Sequence, residues 1–178
     1  QVSSDGTVPS DVVLPLALGG LTNGVSNIEM TAAFASIANG GVYNEPYYYT
    51  KVLDHNGNVL LKAETSSRQV MKTSTAYLLT SAMVATITGG YRMSTGSRLK
   101  FKDYQMPVAG KTGTAEIKAS KDDTSGTELG WFAIFTAEDT VERPILIISM
   151  VEDVKGRGGS GYVVKKDNLV LEEWFGSN

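Results

Sequence analysis

One ten-residue stretch limits the architectures open to this chain. Residues 108–117 read VAGKTGTAEI: an apolar approach, a centre of small residues with one lysine and two threonines, and then the alternation typical of a strand. Gly110 and Gly113 leave no side chain inside this predicted strand, so another backbone can approach it closely. A strand edge that also carries an ammonium and hydroxyl groups is suited to bind an extended peptide and its carboxylate.

The triplet Gly-Lys-Thr at 110–112 also occurs in phosphate-binding loops, and the sequence context excludes that reading. Such a loop needs a second glycine upstream of the lysine and a helix directly after it. Met106 lies in the upstream stretch, and residues 114–116 read TAE, which continues the strand-like pattern. We therefore expect no phosphate loop.

Composition excludes several classes of function. The 178 residues suffice for one domain with a sizeable core, and 42% hydrophobic and 20% charged residues indicate an ordinary globular chain. A net charge of −3 gives no support for a nucleic-acid partner. The chain has no cysteine, and its single histidine, His55, cannot form a metal site alone. We therefore predict no metal, no cofactor and no nucleic acid.

Helix signals are clearest in three places. Ser26 and Glu29 form a capping box that begins a helix, which the residues at 39–41 (Asn-Gly-Gly) should end. A second helix is predicted from about residue 73 or 74 to 86. A glycine-rich segment at 156–161 leads to a last helix that ends near residue 175.

Strand signals predict a hairpin and a sheet. Residues 47–54 and 59–62 should pair around an Asn-Gly turn with His55 at its tip. The apolar runs 131–135 and 144–151 have strand length, and with the lysine strand they predict three consecutive antiparallel strands. The remaining notable segments are predicted as irregular structure: an ordered loop or short strand at 14–25, a flexible stretch at 91–98 and a polar loop at 118–126.

The lysine stretch resembles the third signature, Lys-Thr-Gly, of the serine penicillin-binding protein and β-lactamase superfamily. The longer run AGKTGTAE at 109–116 is similar to the transpeptidase form of that motif. Residues 14–58 and the helix before the motif resemble the transpeptidase domain of class A penicillin-binding proteins of Gram-positive bacteria. The sequence after Glu116 is closer to class B transpeptidases.

The resemblance implies an α/β (α+β) fold of the serine β-lactamase/transpeptidase type, an antiparallel sheet flanked by helices on both faces. It also implies a D,D-transpeptidase that cross-links peptidoglycan stem peptides through an acyl-serine intermediate and is acylated by β-lactam antibiotics. The family's Ser-x-x-Lys occurs only at 97–100, too close to the lysine strand and without an apolar helical period, and Ser-x-Asn does not occur. We therefore predict that residues 1–178 are the C-terminal part of one transpeptidase domain, inactive alone.

The resemblance assigns roles within the motif. Lys111 would supply positive charge and a proton-relay partner for the serine of the second motif. Thr112, on the same strand, would be a further catalytic and substrate-binding residue, although the sequence leaves open which face of the strand it takes. Gly113 would let the ligand backbone approach, and Thr114 would offer its backbone N–H to the oxyanion hole and its hydroxyl to the ligand carboxylate.

Partners and location follow from the same resemblance. The predicted partners are stem peptides, β-lactams and the missing N-terminal half of the domain. The parent protein would be membrane-anchored on the extracytoplasmic face of a bacterial membrane, and this chain itself contains no run of about 18 apolar residues. Two other functions stay open: a β-lactam sensor ectodomain, and a non-catalytic interaction module of the same fold.

Overall fold

The computed structural model describes residues 10–89, 94–97, 99, 107–117, 126–138 and 140–176. Residues 91–93 and 98 of the predicted flexible stretch at 91–98, and residues 118–125 of the predicted polar loop at 118–126, lie outside these residues. In chain order, the described elements are a 3₁₀ helix (Leu14–Leu18), α1 (Asn27–Ala38), β1 (Val42–Asn44), β2 (Lys51–Leu53), β3 (Val59–Lys62), β4 (Ser67–Gln69), α2 (Thr73–Thr88), β5 (Val108–Ile117), β6 (Thr127–Thr136), β7 (Leu146–Val151) and α3 (Ser160–Gly176).

The principal sheet has the strand order β5-β6-β7, and both pairs are antiparallel. This confirms the prediction of three consecutive antiparallel strands that begin with the lysine strand. Lys111 pairs with Ala133, and Thr114 pairs with Gly130. Within the described residues β5 and β7 each pair with β6 alone, so each outer strand has one edge without a strand partner.

Helices cover both faces of this sheet, as predicted. On one face α3 packs against a core built around Phe132, Ile134 and Val163. On the other face α1 and α2 pack against a smaller cluster that contains Ala109 and Phe135. Within the described residues, no helix is both long and apolar enough to cross a membrane.

The capping box of α1 is present. The Ser26 hydroxyl accepts a hydrogen bond from the backbone N–H of Glu29, and the Glu29 carboxylate accepts one from the backbone N–H of Ser26. The hydroxyl of Ser26 also donates to this carboxylate, and together these bonds lower the pKa of Glu29. Two orphan amide groups at the start of the helix are thereby satisfied.

Four local differences separate the structure from the sequence predictions. The strand predicted at 131–135 is longer, since β6 extends over Thr127–Thr136. Residues 14–18 form a 3₁₀ helix instead of a loop or short strand, because Pro15 suits the first helical turn and a left-handed Gly19 ends it. The hairpin around His55 is present, but its first strand starts at Lys51, after the tyrosine run. The pairing of β1 with β4 was not predicted, since strands of three residues are too short to show a period.

A buried carboxyl group lies between α3 and β7. Asp167 is 2% exposed, and its Oδ1 accepts a hydrogen bond of 2.6 Å from the Ser149 hydroxyl. Its Oδ2 has no hydrogen-bond partner within the described residues. Burial raises the pKa of Asp167 to about 6, although the hydrogen bond from Ser149 opposes the shift.

This carboxyl group predicts a pH dependence of stability. The folded-state pKa of Asp167 lies above its ordinary value of 3.8. The contribution of Asp167 to folding stability is therefore fully present below pH 3.8 and is lost as the pH rises through about 6. We expect Asp167→Asn to remove this loss and to stabilise the protein at pH 8 by about 1–2 kcal/mol, after allowance for solvent screening. Urea unfolding of the wild type and of Asp167→Asn at pH 4.5 and pH 8 measures the change in the free energy of unfolding. Glu64→Gln, which neutralises an exposed carboxylate, is the control. An equal effect of Asp167→Asn at both pH values would contradict the prediction.

Candidate active site

The candidate site is built on β5, whose residues alternate between the two faces of the sheet. Ala109 belongs to the cluster beneath α1 and α2, so Lys111 and Gly113 lie on that face. The Lys111 side chain is exposed, and its Nζ donates a hydrogen bond of 2.5 Å to the carbonyl oxygen of Thr112. Within the described residues, no side chain is hydrogen-bonded to this ammonium group.

Thr112 lies on the opposite face, which the sequence had left open. Its side chain is buried, and its Oγ1 lies 2.7 Å from Oγ1 of Thr95. This hydrogen bond attaches the turn at 94–97 to the strand just beside Lys111. In this structure, the Thr112 hydroxyl therefore connects β5 to the turn at 94–97, while the backbone carbonyl oxygen of Thr112 faces Lys111.

The free edge of β5 presents backbone groups. The Thr86 hydroxyl donates to the carbonyl oxygen of Gly110 at 2.6 Å, and the next-but-one carbonyl, that of Thr112, accepts from Lys111. Both bonds are formed outside the β5–β6 ladder. Because the backbone groups of alternate residues point to the same side of a strand, the N–H and C=O of Thr114 point to this free edge too.

The two glycines of the strand have different surroundings. A Cβ at Gly110 would lie 2.6 Å from Cδ1 of Ile87 and 3.2 Å from the carbonyl oxygen of Ala133, so the Ile87 side chain of α2 would have to move away from β5. Among the described residues, a Cβ at Gly113 would meet Cβ of Trp131, at 3.4 Å. Packing within the described part of the chain thus favours glycine at 110 more strongly than at 113.

Thr114 lies where β5 meets the start of α3. Its side chain is exposed, and its Oγ1 accepts a hydrogen bond of 3.4 Å from the backbone N–H of Ser160. Neither Thr95 nor Ser160 was expected near the motif from the sequence. The glycine-rich segment at 156–161 was predicted to lead to the last helix, but no local signal shows that this segment ends beside Thr114.

The only Ser-x-x-Lys of the chain is partly described. Ser97 lies in a turn, and its hydroxyl donates to the carbonyl oxygen of Ser94 at 2.8 Å. Lys100 lies outside the described residues. The Ser97 hydroxyl is therefore hydrogen-bonded within its own turn.

The arrangement has the chemistry of a site for an extended peptide. A free strand edge offers amide and carbonyl groups, Lys111 supplies a positive charge, and the Thr114 hydroxyl lies a few residues further along. A profile of the penicillin binding protein transpeptidase domain matches residues 10–169. The chain belongs to the penicillin-binding protein transpeptidase family.

Curated relatives agree with this membership, and solved structures agree with the fold. Penicillin-binding protein 1A of Clostridium novyi (strain NT) is 36% identical over 109 residues, which is 61% of this chain and 12% of the relative. Penicillin-binding protein 3 from Mycobacterium tuberculosis superposes with a TM-score of 0.67 at 20% identity, over 85% of this chain and 36% of that one. The predicted transpeptidase fold is thereby confirmed.

A further structure shows a family protein in a reacted state. Penicillin-binding protein A from Mycobacterium tuberculosis, solved as a ceftriaxone acyl-enzyme complex, has a TM-score of 0.63 and 20% identity. The match covers 83% of this chain and 32% of that protein. The chain thus spans about a third of these solved structures and about an eighth of the curated relative's length.

Proposed function

We propose that this chain is part of a D,D-transpeptidase domain that cross-links peptidoglycan stem peptides through an acyl-serine intermediate. The observation that carries the proposal is the AGKTGTAE strand, with Lys111 exposed and the backbone of Thr114 at a free edge. Family membership supports the transpeptidase class. The nucleophilic serine, its lysine and the Ser-x-Asn motif would come from a part of the domain outside residues 1–178.

The proposed reaction has two steps that share one site. The serine Oγ attacks the carbonyl carbon of the last peptide bond of a stem, the C–N bond breaks, and the terminal residue leaves as an amine that takes up the serine's proton. An amine of a second stem then attacks the ester, forms the cross-link and returns the proton to the serine. A β-lactam takes part in the first step alone: the serine Oγ attacks the ring carbonyl, the ring C–N bond breaks, and the nitrogen takes up the serine's proton but stays attached to the acyl-serine ester.

The residues of β5 would act by position and charge. Lys111 would attract the stem carboxylate and favour proton transfer at the serine of the second motif. The backbone N–H of Thr114 would stabilise the oxyanion, and its hydroxyl would bind the carboxylate. Gly113 would leave room for the ligand backbone, and Thr112 would hold the strand through its bond to Thr95.

The proposal that the chain is the C-terminal part of its domain is supported by uncovered apolar surface. On α2, Tyr77 is 73% exposed and Leu78 is 67% exposed, although the helix buries Ala76 and packs Met83 against the sheet. The outer edge of β7 also lacks a strand partner within the described residues. The missing N-terminal half would cover both, and the parent protein would be anchored at the extracytoplasmic face of the membrane, where stem peptides are found.

Intact-mass measurement with penicillin G tests the proposed function. We expect the longer parent protein to gain one penicillin, and the 178-residue chain alone to gain none. An adduct on the isolated chain would place the nucleophile within it, with Ser97 the first candidate. No adduct on the parent protein would indicate a non-catalytic module, and an adduct without cross-linking of stem peptides would indicate a sensor ectodomain.

A further inference from the structure

The start of α3 contacts the hydroxyl of Thr114. Ser160 is the first residue of this helix, and its backbone N–H donates to Thr114 Oγ1 at 3.4 Å. The next two backbone N–H groups of the helix, those of Gly161 and Tyr162, donate to the carbonyl oxygens of Gly158 and Gly159 in the preceding turn. The first amide therefore has a side-chain partner on a different element, 46 positions away in sequence.

The glycines before α3 permit this approach. Gly156, Gly158 and Gly159 have φ values of 76°, 95° and 58°, in the left-handed region that favours glycine. A Cβ at Gly159 would also lie 3.4 Å from Thr114 Oγ1, in close contact with the hydroxyl. The turn thus places the backbone N–H of Ser160 next to the Thr114 hydroxyl, and Gly159 adds no side chain between them.

The contact occupies one acceptor position of the Thr114 hydroxyl. A threonine hydroxyl has one hydrogen to donate and two lone pairs that accept. The N–H of Ser160 uses a lone pair, so the donor hydrogen stays free to turn to the other side. Within the described residues no group accepts this hydrogen.

We propose that the backbone N–H of Ser160 is a positioning group that holds the Thr114 hydroxyl as a donor to the substrate's carboxylate. The inference rests on the proposed function, in which Thr114 binds that carboxylate, and it adds a source of specificity. A hydroxyl held in this way favours an anionic acceptor, because hydrogen bonds to an ionised group are about twice as strong as those between neutral groups. The site therefore selects ligands with a free carboxylate over their esters.

The test compares two substitutions at one position in the parent protein. Ser160→Pro removes the N–H, and proline suits the first position of a helix. Ser160→Ala keeps the N–H and removes only the hydroxyl. Second-order rate constants of acylation are measured with penicillin G and with its methyl ester, which lacks the carboxylate charge.

We expect Ser160→Pro to lower the rate constant for penicillin G about tenfold and that for the methyl ester less than twofold. Ser160→Ala should leave both within about twofold of wild type. Equal losses on the two ligands, or no loss with Ser160→Pro, would overturn the inference while leaving the transpeptidase proposal intact. A wild-type parent protein that takes up no penicillin would overturn the proposed function and this inference with it.

A second variant keeps the inference testable if Ser160→Pro does not fold. Gly159→Ala retains the amide but places a methyl group against Thr114 Oγ1 and strains a left-handed residue. We expect it to lower acylation by penicillin G more than acylation by the methyl ester. The same loss on both ligands would count against the positioning role.

Discussion

Replacing Lys111 with alanine in the parent protein is expected to lower the rate of acylation by penicillin G by about 10²–10³-fold. The Lys111 side chain is exposed and reaches the free edge of β5, where the ligand is proposed to bind, and within the described residues its ammonium group is bonded only to the Thr112 carbonyl. Preorganised groups that stabilise developing charge at an acyl-transfer site contribute rate factors of about this size. Stopped-flow measurement of adduct formation gives the rate constant.

One further variant separates the charge of Lys111 from its shape, and a second serves as a control. Lys111→Arg keeps the positive charge but replaces a compact ammonium group with a planar guanidinium, so we expect only partial recovery. Lys62→Ala removes an exposed lysine from the β2–β3 hairpin and should change the rate by less than about twofold. An acylation rate constant for Lys111→Ala within a few-fold of wild type would contradict the role proposed for this residue.

Replacing Phe132 with alanine is expected to destabilise the protein by about 3–5 kcal/mol, the usual range for a buried aromatic residue. Phe132 is 0% exposed and belongs to the core between the sheet and α3, together with Val163 and Leu171. Its backbone partner on β5 is Thr112, so the cavity would open directly behind the lysine strand. Urea unfolding of the parent protein measures the loss.

The matched control is Tyr48→Ala. Tyr48 is 84% exposed and lies outside the strands of the hairpin, so its removal should change stability by less than about 0.5 kcal/mol. A loss below 1 kcal/mol for Phe132→Ala would mean that α3 does not depend on this core. We expect the acylation rate to fall with Phe132→Ala only in proportion to the unfolded fraction.

Elements with strong local signals could be predicted from the sequence. The capping box at Ser26 and the glycine-ended apolar period at 73–88 define two helices, because caps and helical periodicity depend on neighbours in sequence. The existence of the three strands could be predicted, since apolar runs of strand length alternate with charged turns, but their lengths could not. Each strand was expected to have about 5–8 residues, whereas β5 extends over all of Val108–Ile117 and β6 over Thr127–Thr136.

Features that depend on distant residues could not be predicted. The face taken by Thr112 depends on the register with β6 and on a partner, Thr95, in a segment that has no regular period. The bond from Ser160 to Thr114 depends on how α3 returns across the sheet. The family resemblance assigned roles to the residues of the motif, but it did not show which other groups of the chain hold those residues in place.

The order of the elements has a kinetic consequence. The strands β5, β6 and β7 are consecutive in sequence and adjacent in space, and α3 follows them directly onto the same sheet. Contacts between near neighbours in sequence have a small loop-closure entropy, and chains rich in such contacts fold rapidly. We expect residues 107–176 to form early in folding, so that the lysine strand already has its shape when the rest of the domain reaches it.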